Sequence, residues 1–110
     1  MPYLPDRGHV VWLTLDPTLG HEQAGRRPAV VLSPAVYNKK SGLVLAAPVT
    51  SKAKSYPFEV PLPPGLPVAG VILADHVRSL DWNLRQAVFL CSLPSATVDE
   101  TLARTRTLLA

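Results

Sequence analysis

The sequence predicts a mainly β fold, a small and strongly bent sheet or barrel with short helices and one longer helix at the C-terminus. Three observations predict it. Proline supplies 12 of the 110 residues, about twice its usual share of ~5%, and helix interiors reject it while turns and strand edges accept it. Short β-branched runs recur along the chain, separated by turn residues. A helical pattern of useful length begins only near residue 97. At 47% apolar and 17% charged residues the composition is globular, and the length suits one domain over 1–110.

Residues 9–15, His-Val-Val-Trp-Leu-Thr-Leu, are β-branched and aromatic and predict the first strand. Asp16-Pro17-Thr18-Leu19-Gly20 ends it with turn chemistry, and 21–27, which contains Gly25 and runs into Pro28, reads as a loop. The Val-Val-Leu run predicts a buried strand over 29–33. Ser33-Pro34 looks like an N-cap with proline at the first helical position, opening one or two turns that end near Gly42. Strands follow over 43–50, at the edge over 58–62, over 70–80 and over 85–90, with a polar loop at 51–56. In an unbroken strand over 70–80, Val71, Leu73, Asp75, Val77 and Ser79 share a face, so Asp75 and His76 point apart. Thr97 and Glu100 have capping-box spacing, and Val98, Leu102, Thr105 and Leu109 fall on one helical stripe.

Several function classes fall away. The single cysteine, Cys91, can form no internal disulfide and fits a reducing, cytoplasmic compartment. The start lacks an apolar signal core, and no run approaches the ~20 residues a membrane span needs. His9, His21 and His76 show no metal-ligand spacing with one another or with Cys91, so neither metal nor cofactor is expected.

Charge points elsewhere. The net charge is +3, but residues 20–54 hold six basic side chains against one acid. Such a segment suits a polyanion, nucleic acid first, or is simply a solvated face. Two loops carry the reactive groups: Gly20-His21-Glu22-Gln23-Ala24-Gly25-Arg26-Arg27-Pro28, and Pro48-Val49-Thr50-Ser51-Lys52-Ala53-Lys54. Brought together, they would supply one carboxylate, several cations and a hydroxyl. That set can cleave RNA: the carboxylate takes the 2′-OH proton, and arginine donates paired hydrogen bonds to the phosphorane. A structural ion pair between Glu22 and arginine is the competing reading. Trp12, mid-strand, reads as core. Trp82, at a strand end, stands open between packing and base stacking. Tyr37 and Asn38 are open between reading RNA and packing a helix end.

Residues 11–34, running through Glu22-Gln23-Ala24-Gly25-Arg26-Arg27-Pro28, closely resemble the opening of the MazF/PemK family of toxins. The resemblance continues through Tyr37-Asn38, Gly42, Pro48-Val49-Thr50-Ser51, Tyr56-Pro57-Phe58-Glu59-Val60 and Leu73-Ala74-Asp75-His76-Val77-Arg78-Ser79-Leu80-Asp81-Trp82, and covers about residues 8–85. It implies an SH3-like barrel of the MazF/CcdB type, forming a homodimer. It also implies a sequence-specific endoribonuclease that cuts single-stranded RNA without metal, leaving 2′,3′-cyclic phosphate and 5′-hydroxyl ends. The partner it implies is a MazE-like antitoxin whose acidic, disordered tail occupies the RNA site. Glu22, Arg27 and Thr50 fall on the family's catalytic positions. Candidate substrate contacts are His21, Gln23, Arg26, Asn38, Ser51, Lys52, Lys54 and Asp75, and His21 is also a candidate for protonating the leaving oxygen. The sequence departs from the family pattern at His9, at Arg26 (histidine in some relatives), at Ser55 and at His76, where glutamine is usual. A gyrase-poisoning toxin on the same barrel and an inert RNA-binding module are the alternatives.

Overall fold

A computed structural model describes residues 3–15 and 25–109. The strands are β1 (His9–Leu15), β2 (Gly25–Val31), β3 (Leu43–Thr50), β4 (Glu59–Pro61), β5 (Val71–Leu73), β6 (Arg78–Asp81) and β7 (Val88–Ser92), and the helices are α1 (Ala35–Ser41) and α2 (Ser95–Arg106). The strands form one antiparallel sheet in the order β4-β5-β3-β2-β1-β7, with β6 pairing a separate stretch of β3. This is the bent, mainly β architecture expected.

The central strands are buried on both faces. Val10, Val30, Ala47 and Val49 join Val60, Ile72 and Val98 in one core cluster. Their neighbours Val11, Ala29, Val31, Val44 and Ala46 join Leu13 and Leu80 in a second. Adjacent residues alternate between the two cores, so these strands read as nearly continuous apolar runs.

β2 begins earlier than expected, at Gly25, so Arg26, Arg27 and Pro28 are in a strand and not a loop. Pro28 pairs with Trp12 of β1, while the β3 ladder reaches only to Ala29. At Pro28 one side of β2 is therefore an edge, where a residue without an N–H is tolerated.

The predicted strand over 70–80 is broken. β5 pairs with Val49 and Thr50, and β6 pairs with Leu43 to Ala46. Between these ladders lies Pro48, whose nitrogen has no hydrogen to donate. Here the chain turns out through Ala74 to Val77, and the His76 N–H bonds the Leu73 carbonyl at 3.1 Å. The last strand is also displaced: β7 starts at Val88, and 82–86 form a turn with Gln86 at φ 56°.

Both helix starts differ from expectation. Ser33 does not cap α1; its hydroxyl is drawn inward, donating to Asn38 Oδ1 at 2.5 Å and accepting the Leu45 N–H at 2.9 Å. Asp6 caps instead, its Oδ1 accepting the Ala35 N–H at 2.9 Å. Gly42 ends α1 at φ 73°, as expected of a C-terminal glycine. α2 starts two residues before the predicted cap, so Thr97 lies inside the helix and Glu100 pairs with Arg104 at 2.8 Å. Its buried face is Val98 and Thr101, with Leu102 packed beside them. Leu109 is 81% exposed and leaves the expected stripe.

Candidate active site

Leu13 of β1 faces Arg27 and Thr14 faces Arg26, so the two arginines project from opposite faces of β2. Arg26 is spent on the fold. Its guanidinium donates to Thr14 Oγ1 at 2.7 Å, the Trp12 carbonyl at 3.2 Å and the Gln86 carbonyl at 2.6 Å, clamping the 82–86 turn to β1. Arg27, half-buried, lines a cleft of about 530 Å³ with His76 and Arg78, over an apolar floor that includes Ala29, Ala46 and Leu80.

A second cleft, of about 320 Å³, adjoins it and is lined by Thr50, Lys52, Lys54, Tyr56, Glu59, Leu73 and His76. His76 belongs to both walls, so the Arg27 and Thr50 clefts meet at one imidazole. Together the two linings hold four cations (Arg27, Arg78, Lys52 and Lys54), the His76 imidazole and one carboxylate, Glu59.

Neighbouring elements fix each of these groups. Gly70 lies directly against Thr50: its φ is +126°, and a Cβ there would overlap the Thr50 carbonyl oxygen and stand 2.9 Å from its carbon. Only glycine fits that backbone and that gap. The Lys52 N–H donates to Thr50 Oγ1 at 3.2 Å, which occupies a lone pair and leaves the hydroxyl hydrogen for another acceptor. Both oxygens of buried Glu59 accept the Lys54 N–H at 3.0 Å, pinning the lysine loop to β4. α2 braces the far side. Thr105 Oγ1 donates to the Ala74 carbonyl at 2.8 Å, and Arg104 donates to the Pro57 carbonyl. The C-terminal helix thus holds both the turn bearing His76 and the loop leading to Tyr56.

The sequence candidates divide clearly. Arg27, Thr50, Lys52 and Lys54 line the paired clefts, and Ser51 is exposed between Thr50 and Lys52. His21, Glu22 and Gln23 lie outside the described residues. Arg26 faces away, as above. Asn38 is a correction: it is 0% exposed, and its amide nitrogen donates to the Pro5 carbonyl at 2.9 Å and the Ser33 carbonyl at 3.0 Å. Its backbone carbonyl accepts Trp82 Nε1 at 3.0 Å, so both residues are committed to packing rather than to bases. Asp75 does not oppose His76 across a strand. The turn brings its Oδ1 within 3.7 Å of His76 Nε2. Sequence reasoning missed Gly70, His76, Arg78 and Glu59 as parts of the site. The signal for His76 was Pro48, which breaks the ladder opposite it.

Among the described residues no group of three or more His, Cys, Asp or Glu side chains could hold a metal ion, and no helix is long and apolar enough to cross a membrane. The pattern of the PemK-like, MazF-like toxins of type II toxin–antitoxin systems matches residues 6–109. The chain belongs to this family. It is 54% identical over 85 residues to the endoribonuclease toxin MazF of Escherichia coli K12, covering 77% of this chain and 76% of that protein. It is 36% identical over 108 residues to the Escherichia coli endoribonuclease PemK, covering 94% and 81%. Among solved structures, the MazF of Deinococcus radiodurans superposes with a TM-score of 0.91 at 56% identity over 98% of each chain. A MazE–MazF complex from the same organism also gives 0.91, over 98% of this chain and 97% of that one.

Proposed function

We propose that this chain is a sequence-specific endoribonuclease toxin that cuts single-stranded mRNA in the cytoplasm without a metal ion and is neutralised by an acidic antitoxin. The observation that carries this reading is the meeting of Arg27 and Thr50 in two adjoining cationic clefts. Relatives named as endoribonucleases, and a solved MazE–MazF complex, support it.

In this reading the RNA backbone runs along the paired clefts. Lys52, Lys54 and Arg78 attract its phosphates, and the scissile phosphate rests between Arg27 and Thr50. Glu22 takes the 2′-OH proton as the 2′-oxygen attacks phosphorus. Arg27 donates two hydrogen bonds to the phosphorane oxygens and Thr50 a third. The products are a 2′,3′-cyclic phosphate and a 5′-hydroxyl. Two copies of the chain form the working unit, and the acidic tail of the antitoxin, drawn by the same cations, covers the clefts.

The test is to incubate the protein with a long, unstructured RNA and, separately, with DNA gyrase and a relaxed plasmid. Discrete RNA cuts with unimpaired supercoiling are expected. Intact RNA with inhibited supercoiling would replace this reading by a gyrase poison.

A further inference from the structure

Cleavage by the 2′-oxygen leaves one proton unaccounted for. The departing 5′-oxygen must be protonated, and arginine is a poor acid because a guanidinium keeps its proton far above neutral pH. We propose that His76 is the general acid of this site and delivers that proton; the proposal rests on the ribonuclease reading above.

Three observations place His76 in the role. Among the described residues it is the one shared by the walls of the Arg27 and Thr50 clefts, so it borders the position of a phosphate held between them. Its side chain is 59% exposed, open to a bound strand. Beneath it, Asp75 is only 18% exposed, and its buried Oδ1 has no hydrogen-bond partner among the described residues while standing 3.7 Å from His76 Nε2. A carboxylate in that place attracts a protonated ring at one nitrogen and leaves the other to the cleft. Histidine is also the side chain that carries a transferable proton near neutrality. The charged groups facing it are Asp75 in its own turn, Arg27 on β2, Arg78 on β6, and Lys52, Lys54 and Glu59 from the loop and β4.

The step balances. The 2′-oxygen bonds to phosphorus as its proton passes to the carboxylate base. The P–O5′ bond breaks with its electron pair on O5′, which takes the proton of the His76 imidazolium. Solvent then returns a proton to the neutral ring and removes one from the carboxylic acid.

The experiment compares two RNAs of one sequence containing a mapped cut site. In one, sulfur replaces the bridging 5′-oxygen at that site, making a leaving group that departs without protonation. Turnover of the all-oxygen RNA at pH 7 should fall ~10²- to 10³-fold in His76→Ala and in His76→Gln, which keeps a polar side chain of similar size. Both variants should cut the sulfur-linked RNA within ~10-fold of the wild-type rate, whereas Arg27→Ala stays slow on both. Equal losses on both RNAs, no loss on either, or rescue by sulfur of His21→Ala instead would overturn the assignment. Wild-type protein that leaves both RNAs whole would instead overturn the ribonuclease reading, and the acid role with it.

Discussion

Adjacent arginines with opposite fates show how much is decided at single residues. Arg26 holds three acceptors on one face of β2, and Arg27 enters the cleft on the other. Arg27→Ala should therefore leave the melting temperature within a few degrees of wild type while lowering kcat by ~10²- to 10³-fold, the usual loss of a transition-state donor. Arg26→Ala should reverse the pattern, lowering stability more than turnover. Asn38 gives the complementary case. Removing its amide strands the Ser33 hydroxyl and the Pro5 carbonyl in the interior, so Asn38→Ala should cost about 1–3 kcal/mol by denaturant titration and leave RNA affinity unchanged. The motifs around Arg27 and Thr50 single these residues out in the sequence, and both side chains line the clefts. Asn38 and Arg26 show the limit of such motifs: a polar side chain near one looks functional until its partners are known, and those partners lie 5 to 60 positions away.

Elements were legible where alternation or turn chemistry was local. β1 and β3 match their predicted limits, and Gly42 ends α1 as its type requires. The failures are long-range. The strand over 70–80 carries an apolar pattern compatible with continuity, and only its pairing on either side of Pro48 breaks it. Likewise α1 is capped by Asp6, 29 residues away, and not by the adjacent Ser33. The N–H groups of Ala35 and Arg7 hold the Asp6 carboxyl below its ordinary value of 3.8. Its contribution to stability is thus complete above the unfolded carboxyl's pKa and disappears as pH falls through the lower folded value. The melting-temperature gap between wild type and Asp6→Asn should be present at pH 6 and close as the pH drops below about 4; a gap that widens on acidification would refute this capping role. At the site, Gly70→Ala should force β5 away from Thr50. Strain at positive φ and backbone overlap should lower the melting temperature, and displacement of Thr50 should reduce kcat by ~10- to 10²-fold.

Across the whole molecule, four of the eleven lysines and arginines, Arg27, Arg78, Lys52 and Lys54, line one pair of adjoining clefts, and in the proposed reading one field attracts both substrate and inhibitor. The basic bias of residues 20–54 was visible in the sequence, but Arg78 joins the clefts from β6, outside that segment. Charge counting along a chain misses what a sheet register brings together. If Lys52 and Lys54 contact phosphates, neutralising both in an Arg27→Ala background, where RNA stays intact, should flatten the slope of log affinity against log salt by about 0.7 per lost contact. An unchanged slope would make them ordinary solvated lysines. Whether Arg27 and Thr50 meet at a metal-independent RNA-cleaving site is decided by incubating wild-type and Arg27→Ala protein with a long unstructured RNA in excess EDTA and identifying the cut sites and their end groups. Discrete cuts ending in 2′,3′-cyclic phosphate and 5′-hydroxyl, absent with Arg27→Ala, are expected; cleavage abolished by EDTA, or equal in the two proteins, would refute that site.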